Sequence, residues 1–178
     1  MENEIQAAYE FAKLAHYGQE RKFTGEPYIV HPQETSEILW GVTDGKRPIE
    51  EYIAAILHDV VEDTDTTLEE IRRIFGQTVR DLVSELTNKR NIAGGKAAYL
   101  ARKMNAMSGT ALDIKLCDRL SNITGLEDTR IPTSFCKRYM LETHYILENL
   151  DRDLTLIQKD LTARIHSMLL FLKINRNL

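Results

Sequence analysis

The sequence lacks the features of a membrane protein, of a secreted disulfide protein and of a general nucleic-acid binder. No apolar stretch approaches the roughly 18 residues that a transmembrane helix requires, and two cysteines in 178 residues do not form a disulfide framework. The chain starts with the acidic run Met1-Glu2-Asn3-Glu4, unlike a secretory signal. A net charge of −4 opposes general affinity for nucleic acid. We therefore expect a cytoplasmic protein with two free thiols.

Alternating apolar and polar residues, the pattern of a half-buried strand, are also missing. Apolar residues instead recur at helical spacing, and glycine and proline separate the segments. Together with a length that suits one core, this pattern predicts an all-α fold with a single domain, residues 1–178. We expect helices at about 3–17, 33–40, 49–63, 67–76, 77–87, 97–107, 110–126 and 133–175, the last interrupted near 151–153.

Three local features refine this prediction. Thr67 and Glu70 have the spacing of a capping box, and the basic, glycine-containing segment 88–96 is predicted to be a mobile surface loop. Because a proline biases its preceding residue away from the α region, His31 before Pro32 is predicted to be extended. The single tryptophan, Trp40, is predicted to lie in the core.

The most informative segment is 53–63, where an apolar helical run ends in His58-Asp59 and then Glu62-Asp63. On one helix, His58 and Glu62 are neighbours, and so are Asp59 and Asp63. Three carboxylates this close repel one another, and burying them is costly unless a cation compensates. One interpretation is a solvated helix end with a core histidine. The alternative, which we favour for the four side chains together, is a metal site.

Two further segments could contribute to such a site. Asp118 and Asn122 form a second polar pair one helical turn apart inside an apolar helix, which could also be a buried helix–helix hydrogen bond. His31 lies in a separate loop. Two imidazoles and two carboxylates suit Mn²⁺, Fe²⁺, Co²⁺ or Zn²⁺ and leave coordination positions for water and a substrate oxygen.

These residues resemble a known family. The order His31, His58-Asp59, Asp118 is that of the HD-superfamily metal-dependent phosphohydrolases. The resemblance extends over roughly residues 5–150 to the hydrolase domain of RelA/SpoT-type alarmone enzymes, through three motifs: Arg21-Lys22 with Thr24-Gly25-x-Pro27-Tyr28-x-x-His31-Pro32, His58-Asp59-x-x-Glu62-Asp63-Thr64, and Lys115-Leu116-x-Asp118-Arg119-Leu120-x-Asn122. It implies a helical HD-domain bundle that acts as a small, stand-alone alarmone hydrolase.

The resemblance also implies roles for individual residues. One ion, usually Mn²⁺ in this branch, would be held by His31, His58, Asp59 and Asp118. Glu62 and Asp63 would position and deprotonate the attacking water. The implied substrate contacts are Asn122 at the ribose and Arg21 with Lys22 at the guanine base. Candidate phosphate contacts, each of which could equally be a surface or core side chain, are Lys96, Lys137, Arg138 and Tyr139.

The chain departs from the family pattern beside the third motif. Ser121 stands where the alarmone enzymes commonly have histidine, and Ile123-Thr124 stands where a basic residue is common. The expected activity is removal of the 3′-pyrophosphate of guanosine tetra- or pentaphosphate. Two alternatives are an HD-type phosphatase acting on a nucleoside monophosphate or on the 2′-phosphate of NADPH, and a non-catalytic nucleotide-binding module.

The remaining histidines and the C-terminal segment receive no role in the site. His16, His144 and His166 match no ligand position and are predicted to be structural or at the surface. The apolar run 168–172 is predicted to pack on the bundle or on another subunit, which would make the protein a homo-oligomer.

Overall fold

The computed structural model of the protein describes residues 2–89 and 95–176, with only the backbone of Glu2. Within them it has helices and one isolated antiparallel bridge, Glu20 to Pro27, but no strand, so the all-α prediction is confirmed. The helices are α1 Glu2–Ala15, α2 Val30–Thr43, α3 Ile49–Ile56, α4 Val60–Asp63, α5 Leu68–Leu86, α6 Lys96–Ala106, α7 Gly109–Gly125, α8 Thr133–Glu148 and α9 Leu156–Asn175.

The central helix is α7, which packs against α2, α9 and α5. Ser108 caps its first turn by accepting a hydrogen bond from the Ala111 N–H. Every residue from 111 to 121 is buried. A helix buried on all sides must pair its polar side chains with other groups. Asp113, for example, accepts hydrogen bonds from Gln158 Nε2 (2.7 Å) and Arg47 Nη2 (3.0 Å). Asp118 is therefore held in a rigid, desolvated helix.

The predicted helix 49–63 is wrong in one respect, because the structure divides it in two. Helix α3 ends at Ile56 and α4 begins at Val60, so His58 and Asp59 lie in the turn between them. The His58 ring donates from Nδ1 to the Ala55 carbonyl (2.7 Å), a local bond that competes with the helical pattern. The turn has a functional consequence. Consecutive residues of a regular helix face different directions, whereas here both side chains reach the same site.

His31 also differs from its prediction. It is not extended but lies in the first turn of α2, where its N–H donates to the Tyr28 carbonyl (3.1 Å). Pro32 is tolerated there because the first turn of a helix leaves its N–H groups without intrahelical partners. The start of α2 therefore aims the His31 ring inward, where it is buried.

Trp40 was wrongly predicted as a core residue, since it is 43% exposed. The inward face of α2 is formed by Leu39 and Thr43 instead. The Trp40 ring covers the following turn, 4.9 Å from the Tyr52 ring centroid. Gly45 (φ 65°) lies directly beneath it, and a Cβ there would come within 2.5 Å of the indole. The aromatic side chain thus closes a turn.

Several predicted boundaries are confirmed. Thr67 and Glu70 form a complete capping box, and α5 is kinked at Gly76, which has φ 88° and ψ 176°. Helices α8 and α9 are separated by 149–155, around the predicted interruption. The predicted surface loop 88–96 lies largely outside the described residues. In the apolar run near the C-terminus, Leu172 is buried in the bundle whereas Leu170 is 59% exposed. No described helix is long and apolar enough to cross a membrane.

Candidate metal centre

Three separate parts of the chain bring ionisable side chains to one point. His31 comes from α2, His58 and Asp59 from the turn before α4, and Asp118 from α7. Nε2 of His31 lies 3.2 Å from Asp118 Oδ1 and 3.7 Å from Asp59 Oδ2. Nε2 of His58 lies 3.0 Å from Asp59 Oδ2 and 3.9 Å from Asp118 Oδ1. The two imidazole nitrogens and the Asp118 oxygen therefore face one another across distances that a single cation can span, and Asp59 Oδ2 lies beside both imidazole nitrogens.

Hydrogen bonds on the far side of each ring fix which nitrogen faces this centre. The Ala55 carbonyl can only accept, so Nδ1 of His58 carries the proton when the ring is neutral. Nδ1 of His31 lies 2.9 Å from Ser121 Oγ, and that hydroxyl donates to Glu34 Oε2 (2.8 Å). The hydroxyl proton is thus used toward Glu34, and the serine oxygen accepts from His31. In both neutral rings the lone pair of Nε2 is aimed at the carboxylates, as in metal-ligating histidines.

The residues present fit a divalent metal ion. His58 Nε2 is buried, and within the described part of the chain it has no hydrogen-bond partner despite its closeness to Asp59. His31, His58 and Asp118 are all buried and present ligand atoms within 4.8 Å of one another. An imidazole–carboxylate donor set of this kind suits Mn²⁺, Fe²⁺, Co²⁺ or Zn²⁺.

The electrostatics of the centre favour ionised carboxylates. Burial works against the charged forms of Asp59 and Asp118, but adjacent cationic groups, His58 for Asp59 and Lys115 for Asp118, hold both pKa values below their ordinary range. Burial likewise disfavours the imidazolium of His58, yet the two carboxylates raise its pKa to about 9. A proton and a metal ion therefore compete for His58 Nε2.

Lys115 completes the charge balance, one helical turn before Asp118. Its Nζ lies 2.7 Å from Asp118 Oδ2, and its side chain is only 7% exposed. Burial alone would lower the pKa of Lys115, but Asp118 and Asp59 raise it above the ordinary value. The ammonium occupies one oxygen of Asp118 and leaves Oδ1 directed to the two histidines. The ion pair at Oδ2 and a hydrogen bond from Asn122 Nδ2 to Oδ1 (2.6 Å) together fix the orientation of this carboxylate.

On the α4 side, Tyr28 joins the two aspartates. Its hydroxyl donates to Asp59 Oδ2 (2.7 Å) and lies 3.1 Å from Asp63 Oδ2. Burial and the neighbouring carboxylates raise the pKa of Tyr28 far above its ordinary value, so the phenol stays protonated. The pKa of Asp63 is also raised, by partial burial and by the charges of Asp59 and Glu62. A carboxylate with a raised pKa is a stronger base.

Glu62 and Asp63 lie on the same short helix but have different partners. Glu62 Oε2 accepts hydrogen bonds from the backbone N–H (2.8 Å) and the side-chain amide (3.0 Å) of Asn88. These bonds tie α4 to the end of α5. Asp63 is more open to solvent and faces Tyr28. Asp63 is thus connected through Tyr28 to Asp59, a candidate metal ligand.

A cavity of about 160 Å³ opens beside the candidate ligand His31. Asn122 stands at its inner end, where its Nδ2 donates to Asp118 Oδ1 (2.6 Å) and lies 3.3 Å from His31 Nε2. Arg21 lies on the adjacent wall, 3.5 Å from Asn122 Oδ1, and passes over Gly125, where a Cβ would come within 3.1 Å of its guanidinium. The cavity walls include Arg21, Lys22, Phe23, Tyr28, Asn122, Phe135 and Tyr139.

Comparison with known proteins assigns the family. Residues 8–150 match the family described as HD domain. The chain belongs to the HD domain family.

Two relatives of this chain carry a name that refers to the same substrate. A guanosine-3′,5′-bis(diphosphate) 3′-pyrophosphohydrolase of Aquifex aeolicus is 44% identical over 132 residues, 69% of this chain but 18% of that protein. This chain therefore spans about a fifth of the length of that larger relative. The human guanosine-3′,5′-bis(diphosphate) 3′-pyrophosphohydrolase is 40% identical over 125 residues, which is 67% of each chain.

A solved structure has the same architecture over nearly the whole chain. It is titled as a metazoan ortholog of SpoT that hydrolyzes ppGpp and plays a role in starvation responses. The match has a TM-score of 0.78 at 26% identity and covers 92% of this chain and 94% of the other. The expected single-domain helical bundle is therefore the architecture of this HD domain as well.

Only some of the residues that were predicted to contact the substrate lie at the cavity of the HD domain. Arg21, Lys22, Asn122 and Tyr139 all line the cavity beside the ligands. The Tyr139 ring also lies 4.9 Å from the Arg119 guanidinium, and burial raises the pKa of Tyr139 to about 12.

The candidate phosphate cations lie farther out. Arg138 stacks 5.2 Å from the ring centroid of Phe135, a cavity residue. Lys137 lines a different surface groove, on α8 and α9, and Lys96 is an exposed residue at the start of α6. Their roles stay predictions.

Sequence reasoning missed three contributors to the centre. Lys115 and Tyr28 belong to the motifs, but no role in the site was predicted for them. A lysine and an acid one helical turn apart could have suggested the ion pair between Lys115 and Asp118. No sequence signal links Glu34 to Ser121, 87 positions away.

The other histidines behave largely as predicted. His16 is buried and packs on Tyr28, with ring centroids 4.7 Å apart. His144 and His166 are at the surface, where they form a loose group with Glu148. The side chains of His144, Glu148 and His166 are all exposed. Water already solvates them, so no buried charge has to be neutralised by a metal ion.

Proposed function

We propose that this HD domain hydrolyses the 3′-pyrophosphate of guanosine tetra- or pentaphosphate, with Mn²⁺ as its metal ion. The observation that carries the proposal is the buried group His31, His58 and Asp118, one member of which, His31, lines a cavity together with Arg21 and Asn122. The names of the relatives at 44% and 40% identity support this substrate.

In this proposal His31, His58, Asp59 and Asp118 hold the ion through the atoms that face one another in the structure. When bound, a divalent ion lowers the pKa of a coordinated water and polarises a phosphoryl oxygen. Lys115 and the far-side bonds of the two rings keep the ligand atoms oriented. Because orientation is set before the ion binds, little reorganisation opposes binding.

Asp63 accepts the proton of the attacking water. Partial burial and the charges of Asp59 and Glu62 raise the pKa of Asp63, which makes it a stronger base than an ordinary carboxylate. Tyr28 holds Asp63 and Asp59 in one arrangement, and Glu62 braces α4 through Asn88 while adding negative charge beside Asp63. The oxygen of water bonds to the phosphorus attached to the ribose 3′ oxygen. The bond between that phosphorus and the 3′ oxygen breaks, a proton ends on the 3′ oxygen, and pyrophosphate leaves.

The side chains that line the cavity are proposed to bind the nucleotide. Arg21 presents a guanidinium plane suited to stacking on the guanine base, and Lys22 is exposed at the rim. Asn122 lies between the ligands and Arg21, where its amide can reach the ribose or its 3′ oxygen. Lys96, Lys137, Arg138 and Tyr139 are proposed as further phosphate contacts.

A second candidate function is hydrolysis of another nucleotide phosphate at the same centre. The departures from the family pattern favour it: Ser121 is directed to His31 rather than to a nucleotide, and Thr124 is exposed. Candidate substrates are nucleoside monophosphates and the 2′-phosphate of NADPH. A non-catalytic nucleotide-binding module is less well supported, because pure binding does not require the Glu62-Asp63 pair.

The deciding experiment is a screen of purified protein with Mn²⁺ over a nucleotide panel, in which pyrophosphate and inorganic phosphate are measured separately. We expect pyrophosphate from guanosine tetraphosphate, and no release after EDTA treatment or in Asp59→Ala. Inorganic phosphate from another nucleotide, with guanosine tetraphosphate untouched, would establish the second candidate. Nucleotide binding without any release would identify a binding module.

Three other expectations go with this proposal. Residues 1–178 are proposed to form one HD domain, which limited proteolysis would test. Cytoplasmic location and self-association also stay predictions. Imaging of a tagged chain would test the first, and sedimentation of the purified protein would test the second.

A further inference from the structure

Glu34 lies where two parts of the centre meet. It is on α2, one turn after His31, and its side chain is 46% exposed. Its Oε2 atom accepts the hydroxyl proton of Ser121 at 2.8 Å. The same Oε2 lies 3.6 Å from Nη1 of Arg21. One carboxylate oxygen therefore touches both the partner of a metal-ligand ring and the guanidinium on the cavity wall.

The first branch of this contact leads to the metal ligands. Ser121 is 3% exposed, and its oxygen lies 2.9 Å from Nδ1 of His31. A hydroxyl next to a histidine can donate or accept. Glu34 removes that ambiguity because an ionised carboxylate can only accept. With the hydroxyl proton directed to Glu34, Ser121 must accept from Nδ1–H, and the lone pair of Nε2 stays on the ligand side.

The second branch leads to the nucleotide cavity. The Arg21 side chain is 19% exposed, and the side-chain contacts it makes in the described structure are with Glu34, Asn122 and the surface of Gly125. Glu34 is the carboxylate in this set, so it supplies the charge that orients the guanidinium. Without it, Arg21 would regain rotamer freedom that a bound base would have to remove.

We propose that Glu34 is a positioning residue that orients the metal ligand His31 through Ser121 and the cavity residue Arg21 directly. The Ser121 branch concerns metal binding alone and does not depend on the substrate. The Arg21 branch rests on the proposed function. Ser121, one of the positions that depart from the family pattern, thus has its role in the metal centre.

Manganese titration followed by the electron paramagnetic resonance signal of free Mn²⁺ tests the first branch. Loss of an outer partner of a ligating histidine lowers metal affinity by about 10- to 100-fold, and we expect this in both Ser121→Ala and Glu34→Ala. The double variant should lose no more than Ser121→Ala, because the two residues act in series. Glu34→Gln retains an acceptor oxygen and should lie closer to wild type than Glu34→Ala.

The matched control is Glu37→Ala, one turn further along α2, where the carboxylate is exposed and accepts only from Gln33 in the described structure. It should bind Mn²⁺ as wild type does. Wild-type affinity in Glu34→Ala, or losses that multiply in the double variant, would overturn the Ser121 branch. Because Glu34 is half-exposed, its variants decide the matter even if Ser121→Ala does not fold, which circular dichroism will show.

The second branch is tested by the KM for the hydrolysed nucleotide at saturating Mn²⁺. Both Glu34→Ala and Glu34→Gln should raise KM by about 2- to 12-fold, the equivalent of immobilising one long side chain. Ser121→Ala should leave KM unchanged, since it does not touch Arg21. Equal KM values in all three variants would refute this branch. Absence of any turnover in wild type would refute the proposed function while leaving the manganese result standing.

Discussion

Replacing Tyr28 with phenylalanine removes one hydroxyl and nothing else from the centre. That hydroxyl donates to Asp59 Oδ2 at 2.7 Å and lies 3.1 Å from Asp63 Oδ2. Because the phenol stays protonated, it stabilises the ionised form of each carboxylate over the working pH range. The expected effect of Tyr28→Phe is therefore a higher pKa for Asp63, and the acid limb of the pH–rate profile should move to higher pH.

The size of the shift follows from how the single proton is shared. A hydrogen bond to a charged group contributes about 1.5–3 kcal/mol, and a change of one pKa unit corresponds to about 1.4 kcal/mol. The hydroxyl proton favours Asp59, the nearer acceptor, and Asp63 is partly solvated. The contribution of this hydrogen bond to the ionised form of Asp63 therefore lies at or below about 1.5 kcal/mol, the lower end of that range. We expect a shift of about 0.5 to 1 pH unit.

The assay measures kcat/KM as a function of pH at saturating Mn²⁺. Under this condition a lower metal affinity, caused by the lost hydrogen bond to Asp59, does not change the measured profile. The alkaline plateau should stay within a few-fold of wild type, because Asp63 is ionised there in both proteins. Tyr17→Phe is the control, since that ring is 88% exposed. An unchanged acid limb would refute the assignment of Asp63 as the base or of Tyr28 as its hydrogen-bond donor.

Four further outcomes are expected. Mn²⁺ at 100 times its Kd should stabilise the fold by about 2.7 kcal/mol and raise Tm by about 5–11 °C in calorimetry, a shift that Asp118→Ala should abolish. Asp63→Asn should bind Mn²⁺ in a titration yet lose about 10²- to 10⁴-fold in turnover; near-wild-type turnover would remove Asp63 from the chemistry. Lys115→Met leaves a buried carboxylate without its cation, and urea denaturation without metal should show a loss of about 3 kcal/mol or more. Cys117 and Cys136 are buried, and burial raises the pKa of Cys117, so neither thiol should react with a disulfide reagent until the protein unfolds; rapid native labelling would contradict this.

The sequence predicted the elements whose signals are local. Helical periodicity, the capping box at Thr67 and the break at Gly76 involve residues within a few positions of one another, so the sequence alone exposes them. The sequence also marked His58 and Asp59 as candidate metal ligands, because an imidazole and carboxylates directly after an apolar run are costly without compensation. The full candidate set with His31 and Asp118 came from the resemblance to the HD-superfamily phosphohydrolases. Where a local preference failed, as for His31 before Pro32, the first turn of α2 accommodated the proline without losing a hydrogen bond.

The amino-acid sequence by itself determined the helical class, since that depends on composition and short-range spacing, and the resemblance of its motifs to a family supplied the candidate metal-binding residues. Only the tertiary structure decided how those residues face one another. The turn at His58 and Asp59 directs two consecutive side chains to one point, and Lys115 orients Asp118. The contact of Glu34 with Ser121 joins helices that are distant in sequence, and packing alone creates such contacts.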